Sequence, residues 1–100
     1  MDVREITVED ANTLIAQGSA TFVDVRDPWS YEEGHIPGAI HVNDGEVDAF
    51  VSSADKTRPL VVYCYHGFSS IGGAAYFAEQ GFTDVASMSG GFEAWRAHAG

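Results

Sequence analysis

The sequence predicts an α/β fold, an open parallel sheet of four to five strands with helices on both faces. Three observations point there. Short runs rich in β-formers alternate with segments whose apolar residues recur at helical spacing. The helical segments carry start and stop residues at their ends. The spacing of the runs implies parallel pairing through right-handed crossovers. At 100 residues the chain suits one domain, 1–100, and no repeat, linker or low-complexity stretch interrupts it.

The elements follow in order. Glu5-Ile6-Thr7 predicts a very short opening strand. Thr7 then serves as N-cap, with Glu9 and Asp10 in the first turn, where the helix dipole favours acids. Val8, Ala11, Leu14 and Ile15 form that helix's apolar stripe, and Gly18 stops it. Thr21 to Val25 reads as a buried strand. Asp27-Pro28 starts a short helix ending near Gly34, with Asp as cap and Pro at the first helical position. Gly38 to Val42 predicts a third strand, and Asp44 to Val51 a weak helix with Val47, Phe50 and Val51 on its apolar side. Pro59 to Cys64 is continuous, β-branched and led by proline, the strongest strand pattern in the chain. An alanine-rich helix, capped by Ser69 or Ser70, runs through Ala78 to a stop at Gly81. Asp84 to Met88 is the last strand, and Gly90-Gly91 turns into a final helix, Phe92 to His98.

Composition narrows the function. Fifteen acidic against five basic residues give a formal charge of −10. Nucleic acid needs a basic footprint, and so does an anionic membrane surface, so neither is an expected partner. An acidic surface serves solubility, or suits a partner with a basic face. No apolar stretch is long enough to span a bilayer, and no signal-peptide run follows Met1-Asp2-Val3-Arg4-Glu5. The expected location is the cytoplasm. One cysteine excludes an internal disulfide, and His35, His41, His66 and His98 are scattered without metal-ligand spacing. Neither a metal nor a cofactor is expected.

The chemistry concentrates in Cys64-Tyr65-His66-Gly67-Phe68-Ser69-Ser70, which runs from the end of a strand into a helix. Ligands in open α/β sheets sit beyond the carboxyl ends of the strands, where Cys64 lies. Successive backbone N–H groups in so tight a loop can form an anion-binding nest, and the helix N-terminus adds its own free N–H groups. A cysteine facing them is expected to titrate below the ordinary thiol value of about 8.5. Gly67 suits the middle of the loop because it tolerates positive φ. A lone cysteine is more often a buried apolar residue, but this strand–Cys–loop–helix placement favours a nucleophile.

A phosphatase thiolate would need an arginine in the loop to clamp phosphoryl oxygens, and no Arg or Lys lies between Cys64 and Glu79. Transfer of a neutral sulfur atom needs no clamp, because backbone N–H groups can hold the persulfide anion. His66 reads either as an acid/base or hydrogen-bond donor at the loop mouth, or as a solvated loop residue. Tyr65 and Phe68 read either as an apolar rim for an acceptor protein or as exposed aromatics. Ser69 is expected to offer an oxygen contact to the bound anion, and Ser70 to cap the helix.

These residues resemble the signatures of rhodanese domains. Asp24-Val25-Arg26, Tyr31-Glu32 and Gly34-His35-Ile36-Pro37-Gly38-Ala39 are similar to the N-terminal signature; Gly90-Gly91-Phe92-Glu93-Ala94-Trp95 is similar to the C-terminal one. Cys64 and its loop look like the family's active-site loop, and the loop has the rhodanese length of six residues, ending at Ser69; related phosphatases carry a seventh residue and an arginine. The resemblance, closest to the short single-domain bacterial members, implies a rhodanese fold and a thiosulfate:cyanide sulfurtransferase. Cys64 would take sulfur from thiosulfate by double displacement and pass it to cyanide or to a thiol acceptor such as thioredoxin. Backbone and side chains of Tyr65, His66, Gly67, Phe68, Ser69 and Ser70 would bind the substrate. Asp24, Arg26, Glu32 and His35 would support the loop, with Arg26 paired to a carboxylate behind it; Phe92, Trp95 and the Gly90-Gly91 pair would close the core.

Three positions depart from the family's pattern. Tyr65 stands where many thiosulfate-using members carry Arg, Phe68 where a small polar residue is usual, and Ile71 where a Lys is usual. Without a loop cation the expectation is weak thiosulfate capture, with a protein persulfide as the other donor. The same departures favour the competing reading, a catalytically silent rhodanese-fold binding or sulfur-sensing module. The retained cysteine and loop length favour the enzyme.

Overall fold

The computed structural model describes residues 3–99. Its elements are β1 (Arg4–Ile6), α1 (Val8–Gln17), β2 (Thr21–Asp24), α2 (Pro28–Glu33), β3 (Ile40–His41), α3 (Val47–Ser53), β4 (Leu60–Tyr63), α4 (Ser69–Glu79), β5 (Val85–Met88) and α5 (Gly91–Ala99). The five strands form one sheet in the order β1-β5-β4-β2-β3, parallel at every pairing. β4, buried at all four residues, is its middle strand.

The sheet's period of two sorts the core into two layers. Phe22, Val61, Tyr63, Ala86 and Met88 face Ala11 of α1 and Phe92 of α5. Val23, Leu60 and Val62 face Ala74 and Phe77 of α4, with Val47 and Phe50 of α3 packed alongside. Helices therefore cover both faces, as the strand–helix alternation predicts. The local signals hold as well. Thr7 Oγ1 accepts from Asp10 N–H at 3.1 Å, Gly18 closes α1 in the left-handed region, and Asp27 caps α2 with Pro28 at its start. Among the described residues no helix is long and apolar enough to cross a membrane.

Boundaries differ where a side chain competes with the ladder. β1 ends at Ile6 because Thr7 leaves the strand to cap α1. β3 shortens to Ile40–His41, preceded by a turn at Gly38, whose φ is +83°. α3 begins at Val47 rather than Asp44, because Asn43 organises a turn first. Its Oδ1 accepts from Gly45 N–H at 3.0 Å and its carbonyl from Glu46 N–H at 2.9 Å, the local bonding by which Asn displaces helix.

One ion pair anchors the sheet's carboxyl edge. Asp24 and Arg26 are buried, and Arg26 Nη2 donates to Asp24 Oδ2 at 2.6 Å and to Gly34 O at 2.7 Å. The Arg26 guanidinium carbon also lies 4.2 Å from the centroid of the Phe92 ring, tying β2 to α5. Removing one partner of a buried pair strands a charge without solvent. Asp24→Ala is expected to lower unfolding free energy by about 3–5 kcal/mol. The double variant Asp24→Leu/Arg26→Met should recover most of that loss in a urea titration.

Candidate functional site

Cys64 follows β4, at its carboxyl end and on the α4 side of the sheet. The sulfur is almost enclosed, with the residue 6% exposed. Sγ accepts from the backbone N–H of Gly67 at 3.1 Å and of Ser70 at 3.3 Å. Ser70 Oγ lies 3.4 Å from the sulfur and 2.7 Å from Ser87 Oγ on β5. Both serines are fully buried.

The N-cap position of α4 is Phe68, which makes no side-chain capping bond. The Ser70 N–H, a donor that a cap oxygen would ordinarily take, is instead bound by the cysteine sulfur. Thus Ser70 does not cap the helix. It faces inward to the sulfur, so the oxygen contact expected of Ser69 falls to Ser70; Ser69 faces outward, and neither serine caps α4. Ser69 instead lines a cavity of about 560 Å³ beside the loop. That cavity is walled by Val25, Val42, Val47, Gly73 and Phe77, and Cys64 does not reach it.

The opposite side of the loop is held by α5. Phe92 N–H donates to Cys64 O at 2.8 Å and Glu93 N–H to Tyr65 O at 3.1 Å. These carbonyls point outward to the helix start, while the N–H groups of Gly67 and Ser70, further along the loop, point inward to the sulfur. The fit is close enough to require glycine twice. Gly67 has φ +95°, and a Cβ there would lie 2.7 Å from Gly90 N. A Cβ on Gly91, at φ +64°, would lie 2.5 Å from Tyr65 O. Gly91 therefore presses directly on the loop.

Burial of the sulfur works against its charge. The Ser70 hydroxyl and the N–H groups of Ser70, Gly67 and His66 outweigh that, so the Cys64 thiol is held below its ordinary value. No charged side chain hydrogen-bonds to the sulfur among the described residues. Arg26 is engaged by Asp24, and Arg96 donates to Glu93 Oε1 at 2.7 Å.

The remaining candidates divide. Tyr65, His66 and Phe68 are exposed around the loop mouth, Phe68 at 81%. The Tyr65 and His66 rings lie 4.9 Å apart. Exposed Trp29 stands across a shallow groove shared with Tyr65, Phe92 and Arg96. Asp24 and Arg26 lie together behind the loop, as above. His35 supports the α2 segment instead: its ring stacks on Tyr31 with centroids 3.8 Å apart, and Nδ1–H donates to Tyr31 O at 2.7 Å. Glu32 is exposed on α2 and makes no hydrogen bond or ion pair among the described residues, so it is not brought to the loop. Sequence reasoning missed Ser87. Its one signal was a hydroxyl at an inward position of an otherwise apolar strand.

The model of the rhodanese-like domain family matches residues 7–98. The thiosulfate sulfurtransferase GlpE of Pseudomonas paraeruginosa (strain DSM 24068 / PA7) is 52% identical over 93 residues, covering 93% of this chain and 84% of its own. Among solved structures, a Rhodopseudomonas palustris protein described as a possible tyrosine phosphatase superposes with a TM-score of 0.85 at 30% identity, covering 98% of this chain and 83% of its own. The human single-domain sulfurtransferase TSTD1 shares the fold, with a TM-score of 0.85 at 19% identity over 95% and 96% of the two chains. The chain belongs to the rhodanese-like domain family.

Proposed function

We propose that the chain, acting as one domain over residues 1–100, is a thiosulfate sulfurtransferase that carries sulfur as a persulfide on Cys64. The observation that carries this reading is the sulfur's setting. A strand-end cysteine receives the N–H groups of Gly67 and Ser70, and Arg26 and Arg96 are each paired to a carboxylate. The match to a GlpE sulfurtransferase at 52% identity supports it. Phosphatase chemistry lacks its clamp here, although one structural neighbour bears that description.

In the first displacement the Cys64 thiolate attacks the outer sulfur of thiosulfate. The new Sγ–S bond forms as the S–S bond of thiosulfate breaks, and its electron pair leaves on sulfite. The outer persulfide sulfur stands about 2 Å beyond Sγ. An acceptor thiolate or cyanide then attacks that outer sulfur, and the electron pair of the Sγ–S bond returns to Cys64. Inward N–H groups stabilise the anion at both stages without a compensating cation. Tyr65, Phe68 and Trp29 frame the approach of an acceptor, for which a dithiol protein such as thioredoxin is the natural chemical class. A protein persulfide is the alternative donor. A single thiol with no disulfide partner suits the reducing cytoplasm.

Brief thiosulfate treatment should add one sulfur atom, about 32 Da, to the intact mass. Cyanide should remove it, and Cys64→Ser should never acquire it. No gain from thiosulfate or from a persulfide donor would leave a binding module as the better reading. The depressed thiol predicts a second result. Iodoacetamide alkylation should reach its high-pH plateau earlier than for free cysteine and fall only as pH drops through the lowered value. A profile centred near the free value of about 8.5 would contradict the stabilised thiolate. Phe68→Arg places a cation at the loop mouth and should lower KM for thiosulfate roughly two- to fivefold, the scale of an exposed ion pair. An unchanged KM would mean that backbone donors already suffice.

A further inference from the structure

Ser87 is an unusual residue for its place. It sits on β5, paired in register with Val62 of β4, and is fully buried. Its neighbours Ala86 and Met88 face the opposite layer, so its own side chain points toward α4. A buried hydroxyl is costly unless bonded, and among the described residues the Ser87 hydroxyl meets one partner, Ser70 Oγ at 2.7 Å. Ser70 Oγ in turn lies 3.4 Å from Cys64 Sγ. Sulfur and two hydroxyls thus form a line with two contacts.

Counting protons along that line separates the two states of the cysteine. Each contact accommodates one proton. With Cys64 as a thiol, three protons (one S–H and two O–H) meet two contacts, so one of them must find its acceptor outside the line. With Cys64 as a thiolate, two protons fill two contacts: Ser87 O–H donates to Ser70 Oγ, and Ser70 O–H donates to the sulfur. The Ser87 bond also polarises the Ser70 hydroxyl and turns its hydrogen toward Cys64, strengthening the second bond. Without Ser87, that hydrogen is free to turn to a backbone carbonyl of the preceding turn, a common serine habit in helices.

We propose that Ser87 is a positioning residue, whose buried hydroxyl commits the Ser70 hydroxyl to donate to Cys64 and so holds the sulfur as its anion. The relay stands in for the cation that the loop lacks. It deepens the sulfurtransferase reading, because the thiolate is both the attacking group in the first displacement and the leaving group in the second. The titratable groups on the surrounding elements do not supply the same bias. Asp24 and Arg26 are bonded to each other, Glu93 is bonded to Arg96, Tyr63 is pushed up by burial, and Tyr65 and His66 are exposed. α4 brings no titratable side chain before Tyr76.

The test follows iodoacetamide alkylation of Cys64 against pH in wild type, Ser87→Ala, Ser87→Thr, Ser70→Ala and the double alanine variant. Ser87→Ala should raise the apparent thiol pKa by about half a unit, a roughly threefold loss of thiolate below both values. Ser87→Thr, which keeps the hydroxyl, should stay near wild type. In the Ser70→Ala background Ser87→Ala should add nothing, because its effect runs through Ser70. An unchanged pKa in folded Ser87→Ala, or an equal increment with and without Ser70, would overturn the proposal. Should circular dichroism show the alanine variant poorly folded, Ser87→Val provides a hydroxyl-free side chain suited to a strand. Alkylation uses no sulfur donor, so this result stands or falls apart from the persulfide mass measurement.

Discussion

The site depends on a division of hydrogen bonds across one short loop. On its outer side, the first N–H groups of α5 take the carbonyls of Cys64 and Tyr65. On its inner side, the N–H groups of Gly67 and Ser70 converge on the sulfur. The two sets of bonds use different peptides of the same loop, so the outer set fixes its path while the inner set meets the sulfur. Two helix starts therefore cooperate. α5 sets the loop's orientation, and α4 lends a donor that its missing cap leaves free. The sulfur occupies the place of a capping oxygen, which couples the folding of α4 to the state of Cys64.

The surrounding architecture keeps that division in place. The sheet's middle strand delivers Cys64 from a fully buried run. The Asp24–Arg26 pair, bound to Gly34 O and stacked at Phe92, joins the β2 edge to the helix that grips the loop. Trp95 Nε1 donates to Asn12 Oδ1 at 2.9 Å, latching α5 to α1. Surface charge has no part in this set of contacts. The sulfur's hydrogen bonds come from the oriented backbone N–H groups of Gly67 and Ser70 rather than from charged side chains among the described residues.

Much of this was legible from residue order, because it is local. The caps at Thr7 and Asp27-Pro28, the stop at Gly18 and the β-branched run before Cys64 all act within a few residues. The strand–cysteine–loop–helix unit was legible for the same reason. What escaped depends on distant segments. Ser87 matters only through the β4–β5 register and the packing of α4, and Gly91 only through its approach to Tyr65 O. The oxygen contact at the sulfur was assigned to Ser69 rather than Ser70, because the phase of α4 decides which serine faces inward, and neither one caps the helix. The late start of α3 came from an Asn side chain competing with helix at Asn43. Glu32 looked like part of the site through its motif, yet lies on the exposed side of α2.

The close approach between Gly67 and Gly90 has an evolutionary corollary. The room inside the six-residue loop is not set by its own residues alone, because the backbone of the β5–α5 turn packs against it at Gly67. A lineage that lengthened the loop to enclose a bulkier tetrahedral anion would have to displace that turn at the same time. A change of substrate in this fold is therefore a two-segment change, in which neither half is useful until the other has occurred.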